Sequence, residues 1–212
     1  RSDLPNLSEN LHIVESEKVA EGMLFALPAV GLKEQREARS RTIKERCELA
    51  AKLVSDRDCV SVAWCHTNAE SELVTKMIDG AVQITGSEKD EVKEEKLKAF
   101  RSGQIKKLVT KPILAGYGHN WQHCNHQTVF PSHSFEQYYQ CVRRSWRFGQ
   151  LNPVDVDIVT TQADESVLKN LQRKTQLAEE GFEKMVELMA EFSVHQRNDY
   201  NPTHQATLPS WL

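Results

Sequence analysis

With 212 residues, of which 39% are hydrophobic and 27% charged, the chain can hold one substantial domain with appendages and bury a core, which excludes a wholly disordered polymer. No apolar run approaches the roughly 18 residues that span a membrane, and the opening RSDLPNLSENLHIV lacks the basic-then-apolar plan of a signal peptide, so no membrane partner is expected. The net charge of −3 is unevenly spread: between Arg101 and Gln150 seven Lys or Arg stand against one acid, Glu136, a local +6 that leaves −9 for the remainder. A basic segment on an acidic chain suits either a localised anion site or a solvated charged face.

Along the chain, residues 4–28 lack a strong period and suggest a connector with one short helix. Residues 33–55, KEQREARSRTIKERCELAAKLVS, are rich in helix formers with Ile43, Cys47, Ala50, Ala51 and Val54 at helical spacing. The β-prone run CVSVAWC at 59–65 predicts a strand, followed by polar His66, Thr67 and Asn68 and a helix over 69–78. AVQIT at 81–85 predicts a second strand, ended by Gly86, and the charged stretch 88–101 a helix. Further strands are expected at 107–110, 128–130 and 154–160, with helices over 134–147 and about 164–192; the last twenty residues, rich in Asn, Pro, His and Gln, suggest a tail.

Strands alternating with helices imply right-handed βαβ units, hence an α/β fold with a mostly parallel sheet flanked by helices. Ligands of such sheets bind beyond the carboxyl ends of the strands, which singles out the loops at 66–68, 85–87, 110–122 and 131–134. Five cysteines, Cys47, Cys59, Cys65, Cys124 and Cys141, are odd in number and lie mostly among apolar neighbours, as reduced thiols of a cytoplasmic protein do. The chain opens on Arg1 rather than Met, and the expectation is a piece of a longer protein.

The helix SFEQYYQCVRRSWRFGQ at 134–150 carries the most chemistry. At about 100° per residue, Phe135, Tyr138, Tyr139, Val142 and Trp146 share one face, while Gln140, Arg143, Arg144 and Arg147 share the other. Two guanidiniums one turn apart can clamp a polyphosphate, and Gly149 suits a helix stop. An ordinary amphipathic helix with a basic outer face has the same pattern. Upstream, Gly116-x-Gly118-x-Asn120 follows a strand ending in Thr110 and Lys111; glycines let a backbone approach a phosphate and their N–H groups form an anion nest. Four histidines between His119 and His133, with Cys124 among them, offer donors of the zinc-binding type, although a strand there turns alternate side chains to opposite faces. Trp121 suits either stacking on a base or core packing. Asn68 suits an N-cap as well as a ligand contact.

The string Gln140-x-x-x-Arg144-x-x-Arg147-x-Gly149-Gln150 resembles motif VI of superfamily-two, Swi/Snf-type DNA helicases and translocases, with Trp146 where members commonly carry His. LVTKPILAGYGHNWQ at 108–122 resembles motif V, and VAWCHTNAESELV with QITG at 83–86 resembles motifs IV and IVa more loosely. The resemblance covers residues 56–174 in the family's order and is most like phage- and prophage-encoded members. It implies a C-terminal RecA-like lobe at 56–192, preceded by a connector and leading helix at 1–55 and followed by a tail at 193–212. It further implies Arg144 and Arg147 as catalytic arginines, Gly116, Gly118, Asn120 and Gln140 at the nucleotide, and Thr110, Lys111, Asn68, Thr85 and Gly86 at DNA. No glycine precedes a lysine and no strand runs into an Asp-Glu pair of the Walker B kind, so the parts that hold ATP and Mg2+ are expected on an N-terminal RecA-like lobe of the same polypeptide. A non-catalytic nucleic-acid- or protein-binding module that keeps the RecA-like shape is the alternative.

Overall fold

Six strands assemble into one sheet in this computed structural model, which describes residues 4–14, 37, 39–115, 120–132, 134–161, 173–174, 176–177 and 180–189. The strands are β1 (Leu7–Val14), β2 (Ser61–Trp64), β3 (Val82–Gln83), β4 (Lys107–Thr110), β5 (His126–Val129) and β6 (Val154–Thr161). Their order is β1-β6-β5-β2-β4-β3, and every neighbouring pair is parallel. From β2 the chain moves outward to β3 and β4, then returns to the far side of β2 for β5 and β6. The direction of winding therefore reverses between β2 and β5.

Among the described residues four helices return the chain between strands: α1 (Ile43–Ser55), α2 (Asn68–Met77), α3 (Asp90–Arg101) and α4 (Phe135–Ser145). A single turn, Pro112–Ala115, follows β4. On one face of the sheet α1 and α2 bury Cys47, Ala50, Val54 and Val74 against Ala63, Cys65, Val109, Phe130 and Val159. The period of two in each strand sends Val62, Trp64, Leu108, Val129 and Val156 to the other face, where Leu97, Phe100, Trp121, Tyr138, Cys141 and Val142 cover them. Such double coverage is what buried parallel strands require.

Residues 7–14, read from sequence as connector, form instead an edge strand paired with the whole of β6. The run LSENLHIV hides this because its polar residues are satisfied specifically: Asn10 and His12 bond Asp157 of β6, and Glu9 accepts from the Tyr138 hydroxyl of α4. Burial pushes the Tyr138 phenol up, and the Glu9 carboxylate acts in the same direction.

The chain divides into two units, Arg1–Leu171 and Gln172–Leu212. Most of the expected helix over 164–192 lies outside the described residues; within the second unit residues 180–189 are helical. Among the described residues no helix is long and apolar enough to cross a membrane.

Candidate functional site

The carboxyl ends of β2, β4 and β3, which are adjacent, bring together most of the residues that the resemblance assigns to DNA. Asn68 opens α2 and is exposed. It is not the N-cap. Thr67 holds that position, with its hydroxyl accepting from Glu70 N at 3.2 Å, while Glu70 Oε2 accepts from the backbone N–H groups of Thr67 at 2.9 Å and His66 at 3.0 Å. This capping box satisfies the His66 and Thr67 amides with a side-chain carboxylate and the Glu70 amide with a hydroxyl.

Thr85 is half-buried with its hydroxyl 3.2 Å from that of Ser87, and Gly86 beside it is exposed. Lys96 of α3 pins this loop, donating to Gln83 O at 2.8 Å and Glu88 Oε1 at 2.7 Å. Lys111 follows β4 and is half-buried. Thr110 differs from expectation: it is wholly buried, and its hydroxyl oxygen has no hydrogen-bond partner among the described residues.

Beneath the β2 loop lies a buried ion pair that the sequence reading did not single out. Arg46 Nη1 of α1 donates to Glu70 Oε1 at 2.7 Å, both side chains being 3% exposed. Burial on its own raises the Glu70 carboxyl; the Arg46 charge, its hydrogen bond and the two N–H donors outweigh this and leave the group below its ordinary value. The signal in sequence was Thr-x-x-Glu at 67–70, the spacing of a capping box.

The arginine pair sits at the opposite end of the sheet. α4 runs back from the carboxyl edge, so its last turn reaches the start of β5 and β6. There Trp121 N donates to Arg144 O at 2.8 Å, and Gln150 Nε2 donates to the carbonyl of Cys124 at 3.1 Å. The guanidinium Nη1 of Arg147 donates to Asn120 Oδ1, joining the two segments that resemble motifs VI and V. Gly149 follows at φ 90°, a conformation that favours glycine. Gln140 is half-buried; Gly116 and Gly118 lie outside the described residues.

The helix is rotated from the expected facing. Tyr138, Cys141, Val142, Arg144 and Ser145 are its buried stripe, so Arg144 does not share a solvent face with Arg147. The small Cys141 and Ser145 side chains let this stripe lie against β5, while Tyr139 is 40% exposed. Arg143 lies over the Trp146 ring at 4.5 Å and the Tyr139 ring at 5.1 Å.

Several sequence candidates resolve as core. Trp121 is wholly buried, stacked on Trp64 with ring centroids 5.4 Å apart and edge-on to Phe100 at 5.0 Å. Trp64 Nε1 donates to Gln127 Oε1 at 2.8 Å, and Gln127 Nε2 to Val142 O at 3.2 Å, a buried polar bridge from β2 through β5 to α4.

The histidines do not converge: the His123 ring packs on Phe100, while His126 turns to the opposite face, its Nδ1 3.0 Å from Ser61 Oγ and its Nε2 2.9 Å from Asp157 Oδ2. His119 and His133 lie outside the described residues, and among those described no three His, Cys, Asp or Glu are grouped to hold a metal ion. The Ser61–His126–Asp157 row has the order of a hydrolytic relay, but all three are at most 1% exposed, and it ties β2, β5 and β6 together instead. The +6 segment is likewise dispersed, with Arg144 buried, Arg143 stacked, and Lys106 and Lys111 at opposite ends of β4.

No protein-family profile and no curated protein matches the chain. Among solved structures it is similar to the C-terminal part of the Fun30 ATPase domain, at 17% identity over 58% of this chain and 43% of that one, with a TM-score of 0.48. It is also similar to the RNA helicase Prp28 from Chaetomium thermophilum bound to ADP, at 18% identity over 83% of this chain and 37% of that one, with a TM-score of 0.55. The chain thus spans less than half the length of either. Six parallel strands flanked by helices in this arrangement form an α/β fold of RecA-like type, similar to that of the helicase structure.

Proposed function

We propose that the chain is the second motor lobe of an ATP-dependent DNA helicase or translocase of Swi/Snf type, nearest to phage-encoded members. The observation that carries this reading is the separation of the candidate residues onto two ends of one sheet. Asn68, Thr85, Gly86 and Lys111 gather at the carboxyl edge, where a strand of DNA can be gripped. Arg147 and Asn120 meet at the other end of α4, where a nucleotide held by an N-terminal RecA-like lobe can be reached. The Prp28 structure contains ADP, which is in keeping with nucleotide use by this fold.

The residues present do not form a complete ATP or Mg2+ site: no glycine is followed by lysine. In this reading ATP and Mg2+ are held by the partner lobe, and this chain contributes arginine. An arginine aimed at phosphoryl oxygens stabilises the charge that develops there without reorganisation, and its fixed fork gives direction as well as charge. Arg147 is the better placed of the pair, since Arg144 is 7% exposed. That burial favours the alternative, a binding module that keeps the shape without the chemistry.

Turnover decides between them. The 212-residue chain alone is expected to show no steady ATP hydrolysis. In a protein joining it to an ATP-binding lobe, Arg147→Ala should lower turnover on the order of 10³–10⁵ fold with DNA affinity unchanged. Turnover that survives Arg147→Ala supports the binding module.

A further inference from the structure

We propose that Arg46 is a positioning residue for the DNA-gripping edge, holding the loops after β2 and β5 in one arrangement and cancelling the carboxylate beneath them. The nucleic-acid part of this role rests on the reading above.

An arginine is almost never buried without partners, and Arg46 in the first turn of α1 uses every face of its guanidinium. Besides Glu70, its Nε donates to Thr42 Oγ1 at 3.3 Å and its Nη2 to Arg39 O at 2.9 Å, and the group lies over the Phe130 ring at 5.4 Å. Phe130 follows β5, and its N–H donates to Trp64 O at 3.0 Å, at the end of β2. β2 and β5 are the strands between which the winding reverses, and ligands of open α/β sheets bind in the crevice at such a point. Arg46 therefore lies under the segments that follow these two strands.

Two consequences follow for the edge above it. Arg46 holds one oxygen of Glu70, so the other stays on the N–H groups of His66 and Thr67, which immediately precede Asn68. Arg46 also neutralises a carboxylate lying under a surface meant for phosphates. Without it, an unpaired buried charge remains, and Glu70 must protonate or swing outward, freeing both amides. The His66 and Thr67 amides are already filled by Glu70, so phosphates at this loop are met by other groups, among them the side chains of Asn68 and Lys111. α1, which precedes the motif-bearing segments, thereby sets the geometry of the grip.

The test compares wild type, Arg46→Lys and the double variant Arg46→Met with Glu70→Gln in the 212-residue chain. The double variant removes both charges together, so it keeps a cooperative fold where Arg46→Met alone leaves a bare acid inside. Three readings are taken: thermal melting, hydrogen exchange at the His66 and Thr67 amides, and anisotropy of a fluorescent oligothymidylate.

Arg46→Lys, which still pairs with Glu70, should keep amide protection and affinity near those of wild type. The double variant should melt cooperatively yet, with the side chain at position 70 no longer anchored by a guanidinium, exchange both amides faster and bind DNA more weakly than wild type. Amides as protected as in wild type, or loosened amides with unchanged affinity, overturn the proposal. Absence of DNA binding by wild type counts against the DNA reading alone, because amide exchange still decides whether Arg46 holds the loop.

Discussion

Arg143 and Arg147 show how much a single side chain's surroundings decide. They are four residues apart, one in the last turn of α4 and one just beyond it, yet Arg143 lies over two aromatic rings while Arg147 points to Asn120. Arg143→Ala should lower stability by about 1 kcal/mol, the scale of exposed cation–π contacts, without changing turnover in a protein that joins the chain to an ATP-binding lobe; denaturant melts and ATPase rates check this pair of outcomes.

Asp157 gives a prediction of a different kind. Burial alone raises its carboxyl, but hydrogen bonds from His126, His12 and Asn10, with the electrostatic pull of His126, hold it well below the usual carboxylate range. A folded-state value below the unfolded one stabilises the protein at pH above about 3.9 and loses that stabilisation as pH falls toward the folded value. An acid titration of folding should therefore show a stability loss below about pH 4 that Asp157→Asn flattens. None of these side-chain partnerships was legible in sequence, since Asp157 meets residues from strands far apart in the chain.

At the scale of elements, the sequence carried the strand and helix alternation because each run buries both faces or one stripe by simple period. β4 was read with the bounds it has, and β6 extends one residue further than read, to Thr161. Where the reading fell short, polar residues were buried with specific partners. β5 starts at His126 rather than Thr128 because His126 and Gln127 are buried by hydrogen bonds, which no hydrophobic pattern records. β1 escaped for the same reason, and α4 turned further than expected because Cys141 and Ser145 behave as buried small residues.

The bridge from Trp64 through Gln127 to Val142 makes these elements interdependent. Gln127→Leu leaves the Trp64 N–H buried and unsatisfied, and should cost about 1–3 kcal/mol in urea denaturation. Trp121→Ala, which removes the ring between Trp64 and Phe100, should cost about 3–5 kcal/mol. A loss under 1 kcal/mol for either would mean that the aromatic core repacks freely.

For the whole molecule, the parallel sheet is what separates the two proposed sites. Each helix must carry the chain from the carboxyl edge back to the amino edge, so motif-like segments close in sequence end on opposite sides of the domain. The loops at 66–68 and 85–87 were legible as candidates from the strand ends, whereas the placement of Arg147 and Asn120 at the other end follows only from the three-dimensional path of α4. The account's central claim, that DNA is held at the carboxyl edge and nucleotide at the arginine end, is tested most directly by salt titration of oligonucleotide binding to the 212-residue chain and two variants. Wild type should bind weakly, with affinity falling as salt rises. Lys111→Ala should weaken binding and reduce the salt slope by about 0.7–0.9, the release expected for one lost phosphate contact, while Arg147→Ala should leave both unchanged. Equal losses in the two variants, or a slope insensitive to Lys111, would contradict the account.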